Sequence, residues 1–306
     1  MAIETTTCDL CGATETIPVY SASARIEEAD PGLFYTPERS QMGHFAIVRC
    51  KTCGLIRSRQ RDDASTRSHA YQESTFEYET ANRIQTFNRR ARQLIGENGS
   101  DKYLLDIGCQ RGYFIAEMMR LGWQAAGIDP SEKTATLAQE LAPWAQIYVS
   151  EVDTAIFPGR AFDLITFWDG FEHTQAPRKV IERLSSWLEP GGILLLNLPN
   201  INSLEARLMG AGWPLLLREH IWYFSPKTIQ RLLEESGYEL VSIRPGRVCY
   251  SLAYLSKQLR VHGGWGKLLG ALIHLPKPFS LIPFWISPGE MVVTARLKEI
   301  KSPDNP

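Results

Sequence analysis

The sequence predicts an α/β protein: a doubly wound, seven-stranded, mostly parallel sheet preceded by a small N-terminal cysteine module. Three observations carry that prediction. The run Tyr103-Leu-Leu-Asp-Ile-Gly-Cys-Gln-Arg-Gly-Tyr-Phe114 is an apolar strand that ends in Asp106, turns on Gly108 and Gly112, and passes at once into a helical pattern. A second apolar strand ends in a second acid, Asp129, within Ala125-Ala-Gly-Ile-Asp-Pro-Ser131. Strand and helix patterns then alternate to about Arg244, as successive βαβ units require.

The elements follow in order. Residues 1–60 hold four of the six cysteines, many turn formers and short apolar runs such as Phe45-Ala-Ile-Val48, and read as a module with its own core. Residues 61–100 read as a linker and an N-terminal helix. The polar stretch Arg61–Arg67 is the linker, and a helix from Tyr78 presents Ile84, Phe87, Ala91, Leu94 and Ile95 on one face before Gly96 and Asn98-Gly99 end it. Residues 101–250 and 288–299 form the sheet domain, with helices predicted at 113–121, 132–141, 176–188 and 226–236 and a last strand near Met291–Arg296. Residues 251–287 are an apolar insertion. Within it, 264–286 is broken by prolines and carries two lysines, so it is too short between breaks to span a bilayer. Three readings stay open for it: a core insertion between the last two strands, a pocket wall for an apolar substrate, or a segment lying on a membrane face.

Composition narrows the function classes. Apolar residues make up 44% of the 306, ample for a packed core and unlike a disordered chain. The formal net charge of −1 supplies no global field for steering nucleic acid. No charged start followed by an apolar run announces secretion, and the expected location is the cytoplasm, with the inner face of a membrane as the alternative that 264–286 leaves open.

The strand–turn–helix at Asp106–Phe114, with the acid Asp129 on the next strand, suits an adenosine-type ligand. The glycines let it approach the backbone, and Asp129 can accept hydrogen bonds from ribose hydroxyls. A dinucleotide loop reads G-x-G-x-x-G and faces a pyrophosphate with amides. Here the loop reads Gly108-Cys109-Gln110-Arg111-Gly112 after an acid, which is a poor cradle for an anion and a better one for the amino and sulfonium groups of S-adenosylmethionine (SAM).

At this point the chain resembles the class I SAM-dependent methyltransferases, of the small-molecule and glycan type. Phe162–His173 resembles that family's fourth strand and following loop, Leu188-Glu-Pro-Gly-Gly-Ile193 the entry to its fifth strand, and His220–Pro226 with Leu232–Tyr238 the approach to its sixth. The resemblance implies a Rossmann-like methyltransferase fold over roughly residues 80–245. It implies SAM contacts at Asp106, Gly108, Cys109 and Gly112 in the first loop, at Asp129 and Pro130 for the ribose, at Glu151 near the adenine, and at Asp169 near the methionine end. Gln110 departs from the glycine common at that position, so its side chain must avoid the ligand.

Cys8-x-x-Cys11 and Cys50-x-x-Cys53, each followed by glycine, are the donor set of a closed structural zinc site. Disulfides are the competing reading, disfavoured in a reducing compartment. Some family members carry a similar module. A four-cysteine module with Arg49, Lys51, Arg57, Arg59 and Arg61 nearby also suggests a nucleic-acid reader, but acids are interspersed and no aromatic–basic pattern accompanies them, so a nucleic-acid partner is not expected.

Chemistry in an open α/β sheet sits beyond the carboxyl ends of its strands. Asp169, Glu172 and His173 follow the fourth strand, and His220 lies in a later loop, so His220 and His173 are the candidate general bases, with Glu172 beside them. Trp222, Tyr223 and Phe224 are expected to flank the acceptor. The reading is methyl transfer to a small-molecule, sugar or glycan acceptor, at oxygen. An RNA methyltransferase is the alternative within enzymes, and a non-catalytic SAM-binding scaffold the alternative outside them.

Overall fold

A computed structural model describes residues 3–23, 42–73, 79–95, 101–157, 162–261 and 282–299. The N-terminal region contributes β1 (Ile3–Thr5), β2 (Thr16–Tyr20), β3 (Ile47–Cys50), β4 (Ile56–Ser58) and β5 (Gln60–Asp62), then α1 (Ala64–Glu73) and α2 (Thr80–Ile95). The alternating part runs β6 (Tyr103–Ile107), α3 (Tyr113–Arg120), β7 (Gln124–Asp129), α4 (Glu132–Leu141), β8 (Gln146–Val149) and β9 (Phe162–Trp168). A short 3-10 turn, Phe171–His173, leads to α5 (Pro177–Trp187), β10 (Leu188–Pro199), α6 (Leu204–Met209), β11 (Trp222–Tyr223) and α7 (Pro226–Glu235). The chain closes with β12 (Tyr238–Pro245), β13 (Val248–Ser251), α8 (Leu252–Val261), β14 (Pro283–Ile286) and β15 (Glu290–Leu297).

Seven strands form the main sheet in the order β12-β15-β10-β9-β6-β7-β8. The pairs among β10, β9, β6, β7 and β8 are parallel, while β15 runs antiparallel between β10 and β12. The strand order reverses between β6 and β9, the switch point at which such sheets open a crevice at their carboxyl edge. Both faces are covered. Leu105, Ile107, Ile165 and Leu196 bury into one apolar cluster, and their neighbours Leu104, Leu164 and Leu195 into another, as a period of two demands. The helices predicted at 113–121, 132–141, 176–188 and 226–236 stand within a residue of their expected limits, and the one predicted from Tyr78, which lies outside the described residues, is described from Thr80. Ser131 caps α4 by accepting from the Thr134 amide, and Ser225 with Thr228 forms a reciprocal cap ahead of Pro226 on α7.

Two expectations change. Among the described residues the cysteine module has no core of its own: Cys8, Leu10, Cys50 and Leu55 belong to the same apolar cluster as Val180, Ile181, Trp222 and Leu232 of the sheet domain. Its four-stranded sheet is completed by β11, whose Trp222 and Tyr223 pair with Arg57 and Ile56 of β4. Burying a leucine or isoleucine contributes about 1.5–3 kcal/mol, so each side stabilises the other. The second change concerns Arg61–Arg67, which is not a linker. Arg61 and Asp62 end β5, α1 begins at Ala64, and Asp62 forms a buried bidentate pair with Arg218 at 2.8 Å through both oxygens.

Most of the apolar segment 264–286 lies outside the described residues. Its last part, β14, pairs antiparallel with β13 from Val248↔Ile286 to Ser251↔Pro283. Among the described residues no helix is long and apolar enough to cross a membrane.

Candidate functional site

One cleft, of about 230 Å³, opens along the carboxyl edge of the main sheet. It is lined by the loops that follow β6 (Gly108, Gln110), β7 (Pro130), β8 (Ser150 to Asp153) and β9 (Asp169 to Gln175), with His220, Val248 and Tyr250 across from them. α1 and α2 roof it with Arg67, Tyr71, Arg83, Phe87 and Arg90. The lining runs as an arc from the β8 loop past β7 to β6 and β9.

The first loop is tied down before any ligand is considered. The Gly108 and Cys109 amides donate to the Ile128 carbonyl at 2.8 and 3.1 Å, and the Gln110 amide donates to Asp129 Oδ2 at 2.8 Å. Gly108 and Gln110 both sit at positive φ, 66° and 49°, which is ordinary for glycine and strained for glutamine. Gln110 departs from glycine by turning its amide oxygen to accept from Arg83 Nη2. Gly112 does not line the cleft. At φ 73° it starts α3, and a Cβ there would lie 3.0 Å from Ala138, so glycine is required for helix packing. Cys109 is likewise buried, and a Cβ on Gly127 would come within 2.8 Å of its sulfur.

The two acids behind the loop differ from the expectation in one respect. Neither carboxylate lines the cleft; both are buried. Asp129 accepts four hydrogen bonds: from the Gln110 amide and the Tyr71 hydroxyl (2.9 Å) on one oxygen, and from the Ser131 amide (3.0 Å) and Thr134 Oγ1 (2.7 Å) on the other. A ribose would have to take over the Tyr71 contact to reach it. Asp106 accepts from Thr166 Oγ1 at 2.6 Å, and burial, with Asp129 adding to it, pushes its carboxyl up to about 8. Of the remaining sequence candidates, Pro130, Glu151 and Asp169 line the cleft as Gly108 does.

At the other end the loop after β9 carries Asp169 at φ 52° beside a charged network. Asp169 accepts from Asn197 of β10, and Arg90 stands 3.9 Å from Asp169, 3.5 Å from Glu290 and 4.7 Å above the Trp168 ring. Glu172 and His173 occupy the 3-10 turn, held by the Ile221 amide donating to the Glu172 carbonyl at 3.0 Å. His173 Nδ1 donates to the Glu219 carbonyl at 2.9 Å, its ring centre is 4.8 Å from that of His220, and His220 Nε2 stands 3.8 Å from Glu172 Oε1. The structure therefore brings together all three residues named as catalytic candidates. Glu172 and His220 are buried, and one ligand-capable atom from each of the three lies within 4.8 Å of the others.

The aromatic run after His220 does not flank the cleft. The Trp222 indole donates to the Thr174 carbonyl at 2.7 Å, the Tyr223 hydroxyl to the Leu217 carbonyl at 3.2 Å, and Phe224 stacks on Phe171, all buried. These rings form the seam with the cysteine module. Sequence reasoning missed Tyr71, Arg83 and Arg90. For the two arginines a signal existed, since they stand four residues before and three after Phe87 on the apolar face of α2. Nothing in the sequence placed Tyr71 over Asp129.

The four thiols of Cys8, Cys11, Cys50 and Cys53 converge, with Sγ–Sγ distances of 3.3, 3.5 and 3.6 Å for Cys8–Cys53, Cys11–Cys50 and Cys8–Cys11. Burial pushes the Cys8 thiol up to about 11, whereas amide and thiol donors outweigh burial at Cys50 and draw it down to about 6. Of the nearby basic residues, Arg57 is buried, Lys51 pairs with Glu15 at 3.2 Å and Arg61 with Glu4 at 2.9 Å.

Comparison with known proteins agrees with the fold. A family model for a methyltransferase domain matches residues 80–243, just over half of the 306-residue chain. The chain is 28% identical over 170 residues to the ubiquinone biosynthesis O-methyltransferase of Dinoroseobacter shibae, covering 49% of this chain and 68% of that protein. It is 25% identical over 207 residues to the tRNA U34 carboxymethyltransferase of Idiomarina loihiensis, covering 65% of this chain and 63% of the relative. The matches thus span about two thirds of these relatives' own length. Among solved structures, a SAM-dependent methyltransferase from Thermotoga maritima, described as a possible histamine N-methyltransferase, superposes with a TM-score of 0.50 at 15% identity, covering 75% of this chain and 99% of that one. That similarity establishes the shared fold.

Proposed function

The chain belongs to the SAM-dependent methyltransferases, and from that premise we propose that it methylates an oxygen of a small-molecule, sugar or glycan acceptor, activated by the cluster of Glu172, His173 and His220. The observation that carries this reading is the shared cleft: the Gly108–Gln110 loop and the Glu172–His173–His220 cluster line one cavity. Bound SAM supplies an electrophilic methyl on a sulfonium. This chain's residues would hold it along the cleft, with Ser150 to Asp153 at the adenine, Pro130 at the ribose with Asp129 behind it once Tyr71 gives way, and Gly108, Gln110 and Asp169 at the methionine end. Positioning of donor and acceptor in line can supply about 7–11 kcal/mol of barrier lowering at best. Drawing the proton from a hydroxyl adds roughly 10²–10⁴-fold more.

Calorimetry with SAM tests the premise, and labelling of small-molecule extracts with methyl-labelled SAM tests the transfer. SAM binding without any labelled product, in extracts of the native host, would leave the scaffold reading standing. A second reading has its own support. The tRNA-modifying relative matches 65% of this chain, more than the ubiquinone O-methyltransferase does, so the comparisons lend no support to the expectation against a nucleic-acid partner. An RNA acceptor would weaken steeply with salt, whereas a small neutral acceptor would not.

The cysteine set fits a structural zinc. A tetrahedral site with Zn–S near 2.3 Å spaces its sulfurs about 3.8 Å apart, a slight expansion of the observed cluster. Elemental analysis of protein made with zinc present should find the metal on Cys8, Cys11, Cys50 and Cys53, and Cys50→Ser should release it. Because that module shares its apolar cluster and a strand pairing with the sheet domain, Cys50→Ser should lower the unfolding temperature of the whole chain. Zinc-free protein from zinc-supplemented cultures would reject the site.

A further inference from the structure

We propose that Glu172, His173 and His220 form a second metal site, for a divalent transition ion that binds an acceptor hydroxyl in the cleft. The substrate class rests on the methyltransferase reading; the site itself does not. Two imidazoles and one carboxylate with the remaining positions open are the donor set of catalytic zinc and non-haem iron centres. One ligand atom of each residue lies within 4.8 Å of the others, and all three residues line the cleft shared with Gly108, Gln110 and Asp169.

Three features go beyond proximity. First, His173 is oriented as a ligand. Its Nδ1 faces the Glu219 carbonyl at 2.9 Å, and a carbonyl can only accept, so Nδ1 carries the hydrogen and Nε2 keeps the lone pair. A backbone carbonyl on the far nitrogen is the usual support of a metal-binding histidine. Second, His220 Nε2 and Glu172 Oε1 stand 3.8 Å apart, beyond hydrogen-bond reach. Ligands at about 2.1 Å from one ion lie about 3.0–3.4 Å apart, so a shift of a fraction of an ångström closes both onto it. Third, Glu172 and His220 line the cleft at only 2% and 3% exposure, so little of either is open to bulk solvent. The frame is rigid: Ile221 N donates to the Glu172 carbonyl at 3.0 Å, and Thr174 Oγ1 to the Phe171 carbonyl at 2.8 Å.

The chemistry this assigns is acidification of a hydroxyl, best one of a vicinal pair or beside a carbonyl, so that two oxygens fill open positions on the ion. The acceptor O–H gives its proton to water. The oxygen lone pair forms the new O–C bond as the C–S bond of the sulfonium breaks, and that bond's electron pair stays on sulfur, leaving a neutral thioether. No oxidant or reductant is needed.

Cobalt is the probe. The full-length, zinc-loaded protein, its thiols already occupied, is titrated with Co²⁺ and followed by visible absorption. The expected result is one Co²⁺ per chain with ligand-field bands and no thiolate charge-transfer bands. Glu172→Gln and His220→Asn should each weaken cobalt binding by about tenfold or more. Their circular dichroism and SAM affinity should stay near wild type. Three results overturn the site: no cobalt bound at millimolar concentration, cobalt bound only with thiolate bands, or equal binding by wild type and both folded variants. SAM calorimetry on the same preparations keeps the two readings apart. SAM bound without cobalt removes the metal site and leaves methyl transfer, while cobalt bound without SAM does the reverse.

Discussion

The two ends of the cleft are built in different ways. The cofactor end is a local construction: Gly108, Gln110, Asp129 and Pro130 come from two successive strand ends, and hydrogen bonds among them set the loop before a ligand arrives. The acceptor end is assembled over distance. Glu172 and His173 meet His220 only because Glu219, 46 residues beyond His173, presents its carbonyl to that ring, and because β11 is clamped into the cysteine module's sheet. The lesson is that a shared ligand can be held by short-range backbone geometry, while selectivity for an acceptor depends on how separate parts of the chain dock.

The largest expected effect breaks the acceptor end alone. His220→Ala should lower turnover by about 10²-fold or more with SAM affinity within about twofold, since the group it removes acts on the acceptor and not on SAM. Parallel loss of SAM binding would show that the two ends are not separable. Asp129→Ala comes next and should damage both affinity and stability. It leaves the Gln110 and Ser131 amides and the Thr134 hydroxyl without their acceptor, at about 1–3 kcal/mol for each one left unsatisfied. Calorimetry and chemical denaturation on the same sample separate the two losses, and unchanged SAM affinity would remove Asp129 from the ribose site.

Gly112→Ala sharpens the comparison, because Gly112 belongs to the cofactor motif and yet packs against Ala138 at a positive φ. The expected cost is about 1–3 kcal/mol of stability, read from the denaturation midpoint, with normal SAM affinity in the folded fraction. A selective loss of affinity would place it at the ligand after all.

The last test is a pH dependence. Burial holds Asp106 near 8 in the fold, while an unfolded aspartate titrates near 3.9. Between those values the folded chain keeps a proton that the unfolded chain has released, so this group's contribution to stability falls as pH rises from about 4 towards 8. Asp106→Asn keeps an acceptor for Thr166 and removes the titration, so its unfolding temperature should decline less over about pH 5 to 8 than wild type does. Identical slopes would mean that Asp106 is not the group responsible.

How much of this was legible follows from range. The strand ends at Asp106 and Asp129, the helices at 113–120 and 132–141, and the paired cysteine knuckles are periodic or spaced patterns a few residues long. Glu172, His173 and His220 could be named as candidates from their loops, but not their mutual approach. The reading of Trp222, Tyr223 and Phe224 as an acceptor wall failed for a definite reason. An aromatic run can face a ligand or a neighbouring sheet with equal apolar gain, and here β4 was available to pair with it.

By itself the sequence determined the α/β class, the glycine loop after Asp106 and the thiol set, because backbone propensity, side-chain period and ligand spacing act over short stretches of chain. Tertiary structure decided the rest. It set Tyr71 on Asp129, Arg83 on Gln110 and Arg90 beside Asp169, merged the cysteine module with the sheet domain's core, and closed two histidines and a glutamate into one cluster. Those contacts join residues that no local pattern relates. They exist because burying apolar faces against one another leaves a single packing in which the polar groups at the sheet's open edge are also satisfied.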